Sequence, residues 1–411
     1  MTNEQTPENF QNLGINQKIL SILDKKDFKT PTPIQNQVIS AAIEDKDIIG
    51  IAQTGTGKTL AFGVPMIQKI MSSGSQGLIM VPTRELAQQV KQAISDIGTP
   101  LGLRSAVIIG GVNQRPQVQA LRQNPHIVIA TPGRLDDLLN QKLYCLNKLS
   151  IITLDEADRM LDVGFLPQIK RILKSAPTNR QTMLFSATMP QSIESLASAF
   201  MKTPLRVEIA PQGTSAKNVE HELFVISHLH KLRLLKSLLG DYSQDTTLIF
   251  SRTKHGARKI TQKINEMGHT ATEIHSNRSQ CQREKALKGF SNGQFRIMVA
   301  TDIAARGIDV KQISLVINYD LPENSEDYVH RIGRTGRAGR SGKAISFVTA
   351  DQGDKVKRIE KLINKSLPFV SHAEIPSEKI DPNASKRPQS SRTQRFGNRN
   401  QNRRSFSRSS R

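Results

Sequence analysis

The sequence lacks the features that mark several common classes of protein. It has two widely separated cysteines, Cys145 and Cys281, and no tryptophan. This excludes a disulfide-stabilised scaffold, and no histidine pairs with a cysteine at zinc-ligand spacing. No apolar run approaches the roughly 20 residues of a membrane span, and the first ten residues carry no secretion signal. We therefore expect a cytoplasmic protein.

Charge is the strongest signal in the composition. The chain has 58 Lys and Arg against 36 Asp and Glu, a formal net charge of +22. Such an excess favours a polyanionic partner, nucleic acid first and an anionic membrane second. Aromatic residues make up only 4% of the chain. A base-stacking surface is therefore poorly supported, and contacts with backbone phosphates are favoured.

The C-terminal end differs in composition from the rest. Residues 381–411 contain nine Lys or Arg, one Asp and no apolar periodicity. Such a segment cannot bury enough apolar surface to offset its ordering entropy, so we predict a disordered tail over 371–411. Its charge suits a tether for nucleic acid, and a simple solubility tail is the alternative.

Short apolar, β-branched runs alternate with helix-length segments along the chain. Continuous rather than alternating apolar runs are typical of strands buried on both faces of a parallel sheet, which predicts a doubly wound α/β fold. The two halves resemble each other: "HIVIATPGRLDDL" and "RIMVATDIAARGI" share a strand, Ala-Thr and a glycine-arginine turn. We predict one domain over 1–208, a flexible linker over 209–219 and a second domain over 220–370.

A glycine-rich loop follows the run "DIIGI" and precedes a helical pattern. It consists of Ala52, Gln53, Thr54, Gly55, Thr56, Gly57, Lys58 and Thr59. Apart from Ala52 it matches a phosphate-binding loop, in which glycines let backbone N–H groups face phosphate oxygens. Lys58 would reach the β- and γ-phosphates of a bound nucleotide, and the Thr59 hydroxyl would hold Mg²⁺.

Three carboxylates end the apolar run "SIITL" at Asp155, Glu156 and Asp158. Capping of the next helix is one interpretation, because acidic residues suit a helix N-terminus. The phosphate loop favours another: Asp155 would complete the Mg²⁺ shell and Glu156 would polarise an attacking water. Asp158 keeps both options, since it could cap the helix or link the domains.

Several motifs occur in the order seen in DEAD-box ATP-dependent RNA helicases, which the chain closely resembles over about residues 10–370. They are "PTPIQ" (31–35), "AQTGTGKT" (52–59), "PTREL" (82–86), "GG" (110–111), "TPGR" (131–134), "DEAD" (155–158), "SAT" (186–188), "ATDIAARGID" (300–309) and "HRIGRTGR" (330–337). The resemblance is to the bacterial type of this superfamily 2 group. It implies two tandem RecA-like domains and an ATP site between them.

The resemblance also implies an adenine-reading element over 10–35. Gln35 would hydrogen-bond both the donor and the acceptor edge of adenine, which an amide can do. Phe28 would stack on the base and Phe10 would support the region, with plain core packing as the alternative. The family usually has glycine where this chain has Asp27, and we expect a small geometric change there. In the second domain, Asp309 would hold the ribose or help bridge the cleft.

Further roles on the ATP side follow from the same resemblance. Arg334 and Arg337 would act as arginine fingers on the γ-phosphate, where a guanidinium fork matches the spread of charge. Four residues would couple the ATP site to neighbouring motifs: Asp158, Ser186, Thr188 and His330. For His330, a structural role is an open alternative.

The RNA side is implied by motifs that track a nucleic-acid backbone. The residues are Pro82, Thr83, Arg84, Gly111, Thr131, Gly133, Arg134, Gln280, Arg283 and Thr301. N–H groups at helix N-termini and arginine side chains contact phosphates and read no base edges, so binding should be largely independent of sequence. Ordinary surface ion pairing is the alternative for each arginine.

These expectations lead to an RNA-stimulated ATPase that unwinds short duplexes or remodels RNA–protein complexes. An RNA clamp is a competing hypothesis, but the chain retains Glu156, Arg334 and Arg337, which turnover needs. A DNA helicase is disfavoured by "PTPIQ" and "DEAD". A monomer acting in ribosome assembly or RNA decay is the expected setting.

Overall fold

The computed structural model describes residues 9–53, 55–209, 219–305, 313–336 and 341–381. These residues form two parallel β-sheets, each packed between helices. The first sheet has seven strands: β1 (Ile48–Ile51), β2 (Gln76–Met80), β3 (Ser105–Ile108), β4 (Ile127–Ala130), β5 (Leu149–Leu154), β6 (Gln181–Ser186) and β7 (Leu205–Glu208). Their spatial order is β3-β4-β2-β5-β6-β1-β7.

Nine α-helices accompany the first sheet in the described residues. They are α1 (Gln17–Lys25), α2 (Pro33–Ile43), α3 (Lys58–Ser73), α4 (Arg84–Gly98), α5 (Arg115–Arg122), α6 (Pro132–Asn140), α7 (Ala157–Asp162), α8 (Leu166–Ser175) and α9 (Gln191–Phe200). Helices α1–α4 bury their apolar side chains on one face of the sheet, and α6–α9 do so on the other. Burial on both faces is what the continuous apolar strand sequences predict.

The second sheet has six strands in the order β10-β11-β9-β12-β13-β8. They are β8 (Val219–Val225), β9 (Thr247–Phe250), β10 (Ala271–Ile274), β11 (Ile297–Ala300), β12 (Leu315–Asn318) and β13 (Gly342–Val348). The helices are α10 (Lys231–Asp241), α11 (Lys254–Glu266), α12 (Gln280–Ser291), α13 (Asp302–Ala305), α14 (Ser325–Ile332) and α15 (Gly353–Ile363). The doubly wound, duplicated α/β prediction is confirmed.

Strand order decides what each sheet presents at its carboxyl edge, where parallel strands meet. In the first sheet, β5, β6 and β1 are neighbours and precede the DEAD, Ser-Ala-Thr and phosphate-loop segments. Strands β3, β4 and β2 are neighbours in the other half and precede the segments expected to contact RNA. The motifs expected to bind ATP and those expected to contact RNA therefore occupy separate halves of one sheet edge. We call the part beyond β5, β6 and β1 the ATP half and the part beyond β3, β4 and β2 the RNA half.

The ordered chain extends past residue 370, which differs from the sequence prediction. Ile375 is buried against the second core, Leu223 and Phe369 form a parallel bridge, and the Glu378 N–H donates to the Val225 carbonyl at 2.7 Å. Residues 367–381 thus cover the outer edge of β8. They pair with backbone groups that an uncovered edge strand would leave without partners. Residues 382–411, the rest of the predicted tail, lie outside the described residues.

Candidate ATP and RNA site

The phosphate loop joins β1 to α3. Gly55 and Gly57 have φ of +86° and +90°, and a Cβ at Gly57 would collide with the side-chain amide of Gln35. Lys58 is only 6% exposed, and its Nζ donates to the Ala52 carbonyl at 2.6 Å, which curls the loop around the ammonium. The Thr56 hydroxyl donates to the Gln53 carbonyl at 2.8 Å. Thr59 follows in the first turn of α3.

Asp155 lies directly beyond β5, where its N–H donates to the Met80 carbonyl of β2 at 2.9 Å. Its carboxylate is buried and accepts from the Glu156 N–H at 3.0 Å. Burial raises the pKa of Asp155 to about 6, against the opposing charge of Lys58. A buried carboxylate beside the phosphate-loop ammonium is therefore held in a costly charged form at neutral pH.

Glu156 adopts a left-handed backbone conformation, with φ +54°. Its Oε2 accepts from Arg159 Nη1 at 2.9 Å, and the opposite side of that guanidinium lies 2.7 Å from His330 Nδ1 on α14. Both Glu156 and Arg159 are buried. A carboxylate of the first domain is thus joined to a histidine of the second through one arginine.

Asp158 connects the DEAD segment to the Ser-Ala-Thr segment at the end of β6. Its Oδ2 accepts from the N–H groups of Ala187 and Thr188 at 3.1 and 2.9 Å, and from the Thr188 hydroxyl at 3.0 Å. The Asp158 N–H donates to the Ser186 hydroxyl at 3.2 Å. Asp158 therefore joins the loop after β5 to the loop after β6 through hydrogen bonds in the ATP half.

Gln35 lies at the first turn of α2 and is buried. Its Oε1 accepts from the Thr32 N–H at 2.9 Å, and its Nε2 donates to the Gly57 carbonyl at 3.0 Å. Both ends of the amide thus contact backbone, one of them in the phosphate loop. Phe28 is 40% exposed, whereas Phe10 is buried in the first core.

The first domain brings its RNA-related residues together over β3, β4 and β2. Gly111 has φ +70°, and a Cβ there would meet the guanidinium of Arg84, so a side chain at 111 would strain the backbone and displace Arg84. Arg134 Nη2 donates to the Val112 carbonyl at 3.1 Å. Burial, and the charge of Arg283 after it, lower the pKa of Arg84. Positive charge is concentrated here.

The remaining residues of this half lie in the turns that begin α4 and α6. Thr83 caps α4, its hydroxyl accepting from the Leu86 N–H at 3.2 Å, and Pro82 precedes it. Thr131 is the residue before α6, and Gly133 lies in its first turn. These turns present backbone N–H groups at helix N-termini, which suit phosphate oxygens.

The second domain contributes Gln280 and Arg283 from the first turn of α12, and Thr301 from the end of β11. Arg283 is buried. Its Nε donates to Oε1 of Glu85 in the first domain at 2.7 Å, and its Nη1 donates to the His275 carbonyl at 3.2 Å. Arg283 therefore spans the boundary between the domains.

Arg334 follows α14 and is buried, with its Nε donating to the His330 carbonyl at 3.2 Å. It belongs to the segment whose His330 contacts Arg159. Thr54, Asp309 and Arg337 lie outside the described residues.

Two residues at the domain boundary were missed from the sequence. Arg159 directly follows the DEAD segment, and Glu85 lies inside "PTREL". Their charge next to motif residues was the available signal, but their partners lie 171 and 198 residues away.

Two paired RecA-like domains of this kind define an ATP-driven motor that acts on nucleic acid. The DEAD/DEAH box helicase family model matches residues 32–196, and the helicase conserved C-terminal domain model matches 230–339. The chain belongs to the DEAD-box ATP-dependent RNA helicases. It couples ATP use to RNA unwinding or remodelling, and RNA stimulates its ATP hydrolysis.

Similar proteins come from fungi and bacteria. The chain is 41% identical over 364 residues to the ATP-dependent rRNA helicase rrp3 of Emericella nidulans, covering 88% of this chain and 78% of that protein. It is 41% identical over 356 residues to the ATP-dependent RNA helicase DbpA of Bacillus subtilis, covering 86% and 74%. The structure is similar to S. cerevisiae Dbp5 bound to RNA and ADP BeF3, with a TM-score of 0.80, 28% identity and coverage of 89% and 95%.

Proposed function

We propose that this chain hydrolyses ATP only when its two domains are closed on an RNA strand. The observation that carries the proposal is the pair of contacts between the domains, Arg159 with His330 and Glu85 with Arg283. The first contact adjoins the ATP-related motifs and the second adjoins the RNA-related ones. One closure movement would complete both halves together.

The residues of the ATP half have distinct roles in this proposal. Gln35, Phe28 and the phosphate loop bind the nucleotide, and Lys58 neutralises its terminal phosphates. Glu156 orients the attacking water and accepts its proton. Arg334 and Arg337, with Asp309, complete the site from the second domain. Arg159 positions Glu156 when His330 approaches.

Thr59 and Asp155 would hold Mg²⁺. The donor set fits, because a hydroxyl and a carboxylate are hard oxygen ligands, and Asp155 is a buried carboxylate whose charge has a poor environment without a cation. When bound, the ion neutralises charge on the phosphates during transfer. The chain's own residues orient ATP and water and exclude bulk solvent.

The RNA half would bind one strand through phosphate contacts from both domains. Arg84, Arg134 and the helix N-termini after β2 and β4 serve the first domain, and Gln280 and Thr301 serve the second. Arg283 would serve closure through Glu85 as well as the RNA site.

The wider setting is also part of the proposal. We place domain boundaries at 1–208 and 220–381. The linker expected over 209–219 lies, at residues 210–218, outside the described residues. The basic tail beyond 381 would tether RNA, and the chain would act as a cytoplasmic monomer in ribosome assembly or RNA decay. In the described residues no helix is long and apolar enough to cross a membrane.

The test is ATP hydrolysis measured without nucleic acid, with single-stranded RNA and with DNA of equal length, each with and without Mg²⁺. We expect a low basal rate that RNA raises strongly, DNA raises little and chelation abolishes. Glu156→Gln should remove the stimulated rate while RNA and ATP still bind. A rate that is indifferent to RNA would contradict closure on a strand as the switch.

A further inference from the structure

The outer face of α11 is basic along most of its length. Helix α11 contains four Lys or Arg and one acidic residue, Glu266, which lies in its last turn. The exposed side chains on its outer arc include Lys254, Arg258 and Lys259. We define these three residues with Lys263 as the basic face of α11.

The charges on this face are largely uncompensated. Glu266 accepts from Lys263 Nζ at 2.7 Å and from Gln262 Nε2 at 2.9 Å. Across the ranges that the structure describes, no carboxylate lies within ion-pair distance of Arg258 or Lys259. The first three turns of the helix therefore present positive charge alone.

This arrangement does not serve the stability of the helix. Lys254 is in the first turn, where the helix dipole disfavours a cation. Lys254 and Arg258 are four residues apart, and so are Lys259 and Lys263, and like charges at that spacing destabilise a helix by about 0.2–0.5 kcal/mol per pair. A helix that only faced solvent would be more stable with acidic residues in its first turn and at one member of each of these pairs. The pattern is the one expected for a polyanionic ligand.

The position of α11 connects this face to the proposed RNA path. Strands β9, β11 and β10 are neighbours, and their last residues are in register: Phe250 beside Ala300, and Ala300 beside Ile274. Helix α11 begins just after β9, as α12 begins after β10 and Thr301 follows β11. Lys254 Nζ also donates to Asn277 Oδ1 at 3.0 Å, which joins the start of α11 to the loop before Gln280.

We propose that the basic face of α11 binds the phosphate backbone of RNA that flanks the strand held between the two domains. The face runs away from the carboxyl edge of the second sheet for about 13 Å between Lys254 and Lys263, at about 1.5 Å per residue. Long flexible cations suit this task because they contact phosphates without reading bases. The inference rests on the proposed RNA path and extends it to structured RNA next to the bound strand.

The experiment measures the affinity of the full-length chain for two RNAs in the presence of a non-hydrolysable ATP analogue. One is the shortest oligouridylate that stimulates ATP hydrolysis, and the other is the same oligouridylate extended by a hairpin. The variant is Arg258→Gln with Lys259→Gln. The matched control, Lys357→Gln with Lys361→Gln, removes two exposed charges from α15.

We expect the α11 variant to bind the extended RNA about three- to tenfold more weakly at moderate salt. The slope of log affinity against log salt concentration for this RNA should become shallower by about 1–2. Its affinity for the short RNA and its maximal ATPase rate should be unchanged, and the α15 control should leave both affinities within about twofold. Equal losses in the two variants, or an equal loss on the short RNA, would overturn the inference. Failure of the short RNA to bind the unmodified chain would instead overturn the proposed RNA path.

Discussion

Arg159 and His330 form a direct contact between the two domains, with 2.7 Å between Nη2 and Nδ1. The same guanidinium donates to Glu156 at 2.9 Å, and Arg159 is 1% exposed. Because the contact needs both domains, the Arg159 guanidinium that contacts Glu156 is also held by the second domain. Arg159, which lies just outside the named motifs, thus links Glu156 of the first domain to His330 of the second.

Arg159→Lys tests this link. A lysine keeps a charge near Glu156, but its single ammonium cannot reach both Glu156 and His330 in the way a guanidinium fork does. We expect the RNA-stimulated kcat to fall about tenfold, near 1.4 kcal/mol, while ATP affinity without RNA stays within about twofold. Steady-state ATPase kinetics of Arg159→Lys, His330→Ala and the double variant, analysed as a double-mutant cycle, provide the measurement. Additive effects of the two substitutions would contradict the link.

Glu85 and Arg283 offer a second test, because both are buried and bonded across the domain boundary. Arg283→Ala leaves Glu85 as an unpaired buried carboxylate in the closed form only, which disfavours closure by about 2–4 kcal/mol. We expect RNA affinity with an ATP analogue to fall about 30-fold or more, and RNA affinity with ADP to change by less than about threefold.

Glu85→Gln with Arg283→Gln is the matched control, since it removes both charges together and should recover part of the affinity. An equal loss in both nucleotide states would mean that Arg283 serves the RNA contact alone.

Gln35, the residue expected to read adenine, contacts the phosphate loop, because its Nε2 donates to the Gly57 carbonyl. Gln35→Glu keeps an acceptor for the Thr32 N–H but removes this donor and adds a charge. We expect ATP affinity to fall about tenfold and the preference for ATP over GTP to narrow, since a site built around an amide loses its paired bonds. Competition binding with ATP and GTP measures both the ATP affinity and the preference for ATP. An unchanged preference would place base recognition elsewhere.

The sequence predicted where the motif residues lie better than it predicted which of them contact one another. Phosphate-loop and DEAD residues follow buried strands, so their common edge could be inferred from a parallel sheet. Strands β7, "LRVE", and β10, "ATEI", lack the continuous apolar run that predicts the other strands, because half of β10 is polar and β7 is a largely exposed edge strand. The roles of Arg159 and Glu85 at the domain boundary could not be assigned, because their partners His330 and Arg283 are brought near only by the pairing of two domains.

Asp27 shows how a local departure from the family pattern acts. The residue has φ +62°, a left-handed conformation that favours glycine, and its ion pair with Lys29 is highly exposed. Aspartate tolerates this conformation better than alanine does. We expect Asp27→Ala to lower the free energy of unfolding by about 1 kcal/mol and Asp27→Gly to leave it unchanged or slightly higher. Thermal unfolding measures the pair, and similar losses for both would indicate that the carboxylate itself matters.

Lys231 and Asp320 predict a pH dependence for the second domain. Lys231 is 2% exposed and its Nζ donates to Asp320 Oδ1 at 3.0 Å, while the Arg252 N–H donates to Oδ2. Burial acts to raise the pKa of Asp320, but Lys231 and Arg252 outweigh it and hold the pKa below its ordinary value of 3.8. The pair therefore contributes stability above about pH 4 that is lost as the pH falls through the folded-state pKa.

Lys231→Met removes the cation and leaves burial to dominate, which raises the pKa of Asp320. The variant should lose about 2–4 kcal/mol at pH 7, and the loss should shrink towards pH 4 as the carboxyl becomes protonated. Calorimetry of the full chain across this range measures the difference. Adding Asp320→Asn should restore much of the stability at pH 7, because no buried charge then remains unpaired. A loss that is independent of pH would mean that packing of the Lys231 side chain, rather than its charge, stabilises the domain.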